Sequence, residues 1–285
     1  MKELKNFLIC LDGTSLDDQI IAYCSMIGEI VNCNNATFIH AGSENPSKKA
    51  ELERKVKTYF QCNVPNEIRL VHGESAAAIL SWSGIKEIDL IIMGIKPKAI
   101  SSGKHAAKII NGSLCSVLLV PTSAAVKLDK ILVPIDFSKN SLNAYKLAKT
   151  MERNNSSKVL LQHVYRVPIG FYSTGKSYDE FAAIMKKNAE KDFTDFLRKN
   201  KLQAEVNNII LSLDEDDLPS DKIYAAAQYE KCDLIMLGSV GKSKAASLIL
   251  RSTSIDLLKY DENTPVMVVK DKKDSVKFFD ALLRI

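Results

Sequence analysis

The six cysteines, at positions 10, 24, 33, 62, 115 and 232, include no C-x-x-C pair, which removes the usual spacing of a structural zinc site and of a disulfide framework. Several fall inside apolar runs and read as reduced core or near-surface thiols of a cytoplasmic protein. The four histidines show no metal-ligand spacing. No apolar segment approaches the ~18 residues that a membrane-crossing helix needs. The opening MKELKNFLICLDGTS runs straight into a strand without the layout of a signal peptide, so the expectation is a cytoplasmic chain with no membrane partner. The Walker pattern G-x-x-x-x-G-K-[ST] is missing too. Gly241-Lys242-Ser243 mimics its end, but residue 236 is Met where the first glycine would stand, which argues against a pumping or motor ATPase. Charge of one sign is scarce: 39 Lys and Arg against 34 Asp and Glu leave +5. The densest basic stretches, Lys48–Lys57 and Lys270–Lys277, carry interspersed acids and read as solvated faces, with no nucleic-acid partner.

What is present is a chain of 285 residues with 46% apolar content, long enough for about two ordinary domains with their own cores. The run 7–12 ends in Asp12 and leads through Gly13-Thr14-Ser15 into a helical pattern ending near Val31. Strands over 36–40, 67–71 and 89–94 alternate with helices over 47–61, 75–85 and 103–111, and 117–121 closes the unit. The same order then recurs. Residues 130–136 answer the first strand and again end in aspartate, Asp136. Ser138 caps a helix over 141–152, 159–164 answers the strand ending in His40, and a long helix spans 177–200. A strand over 206–211 and a helix over 218–229 follow. The clearest echo between the halves is DLIIMG against DLIMLG. Strands alternating with helices imply right-handed crossovers and covered parallel sheets. The expected fold is therefore α/β, with two tandem, doubly wound, five-stranded, Rossmann-like domains over 1–123 and 128–270. A helical tail over 271–285 packs on the body or against a second chain.

The stretch from Cys232 to Val269 concentrates the chemistry. The buried run 233–237 stops at Gly238-Ser239-Val240-Gly241, small residues that let backbone N–H groups approach a ligand. A helix opens near Arg251-Ser252-Thr253-Ser254, where hydroxyls cap its first turn and its positive end favours an anion. Residues 265–269 return to the sheet. Such an arrangement builds a phosphate site at the carboxyl ends of parallel strands.

Gly238-x-x-Gly241 followed by Arg251-Ser252, with Val133-Pro134-Ile135-Asp136-Phe137-Ser138 and Leu161-Gln162-His163-Val164, resembles the universal stress protein family. The likeness is strong over 129–270 and weaker over 5–121. It implies an adenine nucleotide alpha-hydrolase-like fold and a site for ATP or another adenine nucleotide, possibly with Mg²⁺, in the second half. Asp136 and Val164 would address the adenine end, and Pro134 and Leu237 would shape the strand ends. Gly238, Gly241, Ser252 and Thr253 would handle ribose and phosphates. Arg251 stands where the family pattern has a glycine, and it either donates to a phosphate or fills its space. The first half departs further: Cys10 replaces the proline, Ala41 the valine, and Pro97 the second glycine, which marks a structural or partner-facing copy. The resemblance also implies that Val117–Val120 and Val266–Val269 pair within the chain, in a body able to form a homodimer.

The implied role is a stress-response sensor or regulatory module with an unknown protein partner and no hydrolytic centre. Two alternatives stay open: an interaction module with both sites dead, and an enzyme forming or cleaving an adenylate. His40 and His163 read as satisfied rim residues. Asp214-Glu215-Asp216-Asp217 reads as a solvated loop, with Mg²⁺ binding the alternative, and Phe171, Tyr172 and Tyr178 read as packing before the long helix.

Overall fold

Alternating apolar runs and amphipathic stretches resolve, in a computed structural model, into ten strands and seven α-helices among the described residues, which are 3–42, 45–72, 75–95, 100–202, 209–239 and 263–271. The first half runs β1 (Asn6–Leu11), α1 (Leu16–Val31), β2 (Asn35–Ala41), α2 (Pro46–Tyr59), β3 (Asn66–Val71), α3 (Ser75–Ile85), β4 (Leu90–Ile95), α4 (Ile100–Gly112) and β5 (Ser116–Pro121). The second runs β6 (Lys130–Pro134), α5 (Lys139–Asn155), β7 (Lys158–Tyr165), a 3₁₀ turn (Phe171–Thr174), α6 (Tyr178–Lys199), β8 (Ile209–Leu213), α7 (Pro219–Tyr229), β9 (Leu234–Gly238) and β10 (Val266–Val269). The helix expected near residue 251 and the tail helix over 275–285 lie outside the described residues.

The strands form one sheet in the order β3-β2-β1-β4-β5-β10-β9-β6-β7-β8. Every pair is parallel except β5·β10, which is antiparallel with Val266 opposite Leu119, Met267 opposite Leu118 and Val268 opposite Val117. Position in the sheet explains the sequence pattern. The central strands β5, β9 and β10 are buried at every residue, as continuous apolar runs require, whereas the edge strands β3 and β8 are only partly covered. One apolar cluster, from Phe7 and Ile27 through Leu118 and Met267 to Tyr145 and Phe193, runs along the α1, α2, α5 and α6 face across both halves. Two separate clusters cover the opposite face, one under α3 and α4 and one under α7.

The echo DLIIMG and DLIMLG has a structural cause at its first residue. Asp89 Oδ2 accepts the Lys5 and Asn6 N–H groups at 3.1 and 3.0 Å. Asp233 Oδ2 accepts those of Asp129 and Lys130 at 2.8 and 3.0 Å. Each aspartate fixes the chain at the entry to the central strand of its half, and Lys127 Nζ adds an ion pair to Asp233 at 2.7 Å. Removing the Asp233 carboxylate leaves two amides without their acceptor, which costs on the order of 2 kcal/mol. Asp233→Ala is therefore expected to lower the urea midpoint by an amount of that size with an unchanged slope, and Asp233→Asn, which keeps one acceptor oxygen, by less.

Candidate functional site

At the end of β6 the ladder continues one residue past the strand, since the Ile135 N–H donates to Gln162 O at 2.7 Å. The chain then turns sharply. Asp136 Oδ1 accepts the Ser138 N–H at 3.0 Å, and Phe137 adopts φ +63°, in the left-handed region that a bulky residue rarely enters. Its ring packs against His163 at 4.3 Å, Phe193 at 5.7 Å and Phe196 at 5.6 Å, contacts that hold the strained backbone in place. Ser138 then caps α5 as expected, its Oγ accepting the Ser141 N–H at 3.1 Å. The first turn of α5 holds no acidic residue of its own, and the nearest carboxylate along the chain is Asp136, just before the cap.

Gly238 ends β9 directly beneath that turn. A Cβ there would lie 2.3 Å from the Asn140 carbonyl carbon and 2.5 Å from Ser141 N. Its missing side chain thus admits the protein's own helix, a role beyond the ligand approach expected from sequence. Beside it, the Ser239 N–H is committed to Val269 O at 2.8 Å. Asp136 Oδ2, by contrast, is buried and has no hydrogen-bond partner among the described residues. Pro134 is buried in β6. Leu237 is buried and Val164 half-buried in the apolar cluster on the α7 face. These five expected site residues therefore share the carboxyl-end rim of three neighbouring strands. Gly241, Arg251, Ser252 and Thr253 lie outside the described residues.

His163 is a rim residue with a structural bond. Its Nδ1 lies 2.8 Å from Ile135 O, and because a carbonyl only accepts, Nδ1 carries the proton. Burial pushes its pKa below 6.5, against the opposing pull of the Ile135 bond and the Asp192 and Asp136 charges. His40 makes the matching contact to Leu11 O at 3.0 Å in the first half.

The first half fills the equivalent place from within. Asp17, aligned with Ser141 when Asp12 is set against Asp136, is fully buried. It accepts the Asp12 and Gly13 N–H groups at 3.0 and 2.9 Å. Lys48 Nζ donates to Gly13 O at 3.0 Å, and Lys55 Nζ to Thr14 O at 2.7 Å. Leu16 and Ile20 side chains occupy the space at Gly94, each with an atom 2.6 Å from where a Cβ would stand. The only sequence trace of this internal carboxylate is the acidic first turn of α1.

The other acidic candidate is a turn. Asp214 Oδ1 accepts the Asp216 and Leu218 N–H groups at 3.3 and 3.1 Å, and no group of three or more His, Cys, Asp or Glu able to hold a metal occurs among the described residues. Phe171 packs on Tyr178 and Phe181 at 5.5 and 6.1 Å, while Tyr172 is exposed. A cavity of about 240 Å³ opens near the amino ends of β9 and β10, lined by residues such as Lys127, Lys231 and Asn263, away from the rim that carries Asp136.

Two outcomes follow from this geometry. Gly238→Ala drives a methyl group into helix backbone, and is expected to destabilise by about 3 kcal/mol. Gly94→Ala meets only side-chain ends that can shift, and costs about 1 kcal/mol by the same overpacking scale; urea unfolding of the pair measures the difference. With a folded pKa below 6.5 at His163, the unfolded chain binds more protons in the window from 6.5 down to that value. Its contribution to stability is therefore complete above 6.5 and declines as pH falls through the window. His163→Gln is expected to flatten that slope in urea midpoints measured against pH.

The universal stress protein family model matches residues 127–270. Universal stress protein MJ0577 of Methanocaldococcus jannaschii is 28% identical over 164 residues, which is 52% of this chain and 98% of that protein. Among solved structures, a putative universal stress protein from Pseudomonas aeruginosa UCBPP-PA14 superposes with a TM-score of 0.73 at 13% identity, covering 98% of this chain and 97% of that one. The functionally unknown protein PA1789 from Pseudomonas aeruginosa PAO1 gives 0.72 at 12% identity, covering 99% and 98%. At these identities the two structures speak to the fold, which they share from end to end. The match over 127–270, on an α/β frame with a parallel-dominated sheet, makes the chain a member of the universal stress protein family.

Proposed function

We propose that the second half, residues 128–270, binds ATP or a related adenine nucleotide, accompanied by Mg²⁺, and that a protein partner reads the bound state in a cytoplasmic stress response. The observation that carries this reading is the buried Asp136 Oδ2, which has no partner among the described residues, beside an α5 first turn with no acid of its own. A buried acceptor without a donor is costly, and a ligand with N–H or O–H groups on one part and negative charge on another answers both features. A purine or ribose supplies the donors, and phosphates the charge. In this proposal Gly241, Ser252 and Thr253 receive ribose and phosphates together with Gly238, while Pro134, Val164 and Leu237 form the apolar wall. Residues 1–123 act as a structural copy, because Asp17 and Lys48 already occupy the corresponding turn.

Calorimetric titration of the full chain with ATP, ADP and AMP in the presence of Mg²⁺ tests the proposal. Asp136→Ala is expected to weaken binding by a factor of about 10 to 100, the loss of one hydrogen bond to a charged acceptor, while Asp12→Ala leaves it unchanged. Arg251→Gly decides the role of that side chain. A large gain in affinity identifies Arg251 as an obstruction, and a loss identifies it as a phosphate donor. No heat of binding in the wild type and no nucleotide retained through purification overturn the proposal in favour of an interaction module with both sites inactive.

A further inference from the structure

All six cysteines are free thiols, but one pair is nearly in bonding position. Cys33 Sγ and Cys62 Sγ lie 3.9 Å apart, beside a third thiol, Cys24, on α1. Gly28 makes the approach possible: a Cβ there would stand 3.0 Å from Cys33 Sγ and 3.3 Å from Cys62 Sγ. The backbones on both sides are fixed to the same helix. Asn32 leaves α1 at φ +52°, and the Cys33 N–H donates back to Gly28 O at 2.9 Å, a helix-ending turn. The Gln61 and Cys62 N–H groups both donate to Ser25 Oγ, at 2.8 and 2.9 Å. With both main chains held, side-chain rotation is the available route to the ~2.05 Å of an S–S bond.

We propose that Cys33 and Cys62 form an oxidation site, in which hydrogen peroxide converts the dithiol to a disulfide that ties the end of α1 to the connection between α2 and β3. Access orders the steps. Cys62 and Cys33 are 8% and 6% exposed, whereas Cys24 is fully buried. Burial raises both thiols, Cys33 to about 12, and in their mutual contact either sulfur can be the donor. Cys62, the slightly more exposed of the two, is taken as the attacking sulfur. It takes one peroxide oxygen to give a sulfenic acid and one water. The Cys33 sulfur then displaces that oxygen as a second water, so that two thiols and one peroxide become one disulfide and two waters. The closed loop restricts the unfolded chain and stabilises the fold.

Treating the folded full-length protein with hydrogen peroxide is expected to remove two hydrogens per chain by intact mass. It should yield a Cys33–Cys62 linked peptide in a non-reducing digest and raise the urea midpoint, and dithiothreitol should reverse all three. Cys33→Ser is expected to block the bond and leave a sulfenic acid on Cys62 that dimedone traps. Cys62→Ser blocks both products, and Cys24→Ser keeps the bond. A linked peptide containing Cys24, a wild-type protein that stops at a stable sulfenic acid, or a wild-type protein with no Cys33–Cys62 peptide after peroxide treatment overturns the proposal. The wild-type digest decides even where a serine variant fails to fold.

Discussion

One antiparallel strand pair determines the shape of everything else in this molecule. Within each half all strands run the same way, but β10 meets β5 head to tail. Two five-stranded parallel sets thus become one ten-stranded sheet whose central strands have no free edge. The same reversal places the carboxyl-end rim of the first half and that of the second at opposite ends of the sheet. The pairing is reinforced from the side. Lys270, just past β10, sends its Nζ to the Ile110 carbonyl in the last turn of α4 and to that of Ser113 just beyond it, where the negative end of a helix favours a cation. On the α1 and α5 face, a single apolar cluster spans both halves, and Asn154 of α5 donates to Ile30 O of α1 at 2.7 Å.

Within that nearly twofold frame the two rims keep common parts and differ in others. Both halves have an aspartate after the first strand, a histidine bonded to the carbonyl before or beside it, and a glycine at the end of the fourth strand of the half. One difference lies in the first turn of the helix that follows. Asp17 supplies an anion from inside the protein and receives the loop amides, despite burial that pushes its carboxyl above the usual range. Ser141, at the corresponding place, brings a hydroxyl that turns back to Ser138 O at 3.0 Å. The first rim thus holds its loop amides with a carboxylate from the helix itself, whereas among the described residues the second leaves Asp136 Oδ2 without a donor.

Local signals made the elements legible. Most strand runs, the Ser138 cap and the boundaries of α3 and α7 are read from short patterns that depend on near neighbours, and the structure repeats them closely, whereas the strand read over 206–211 lies, among the described residues, at Ile209–Leu213. The repeated aspartate of DLIIMG and DLIMLG is visible as a repeat, but its purpose is not, because its partners Lys5 and Asp129 lie about a hundred residues earlier. The same limit applies at the rim. The left-handed turn at Phe137 depends on Phe193, Phe196 and His163. The demand for glycine at 238 depends on the backbone of residues 140 and 141. No periodicity reports contacts of that range. The direction of the β5·β10 pair was likewise hidden, since an apolar run is the same whether its neighbour is parallel or antiparallel.

These contacts show what the first half contributes to the second. All four residues of β10 are buried, and three of them, Val266, Met267 and Val268, face partners in β5. Without the first half, that strand would present a row of unpaired backbone groups flanked by apolar side chains, a template for edge-to-edge association. Met267 and Val269 would also lose the shared cluster that continues to Leu118 and Val120. The first half therefore acts as a permanent, covalently attached partner for the second. Its β5 closes the sheet beside β9, the strand that ends in Gly238 and supports α5. At its own rim, at the other end of the sheet, Asp17, Lys48 and Leu16 pack against the loop after β1 and the end of β4.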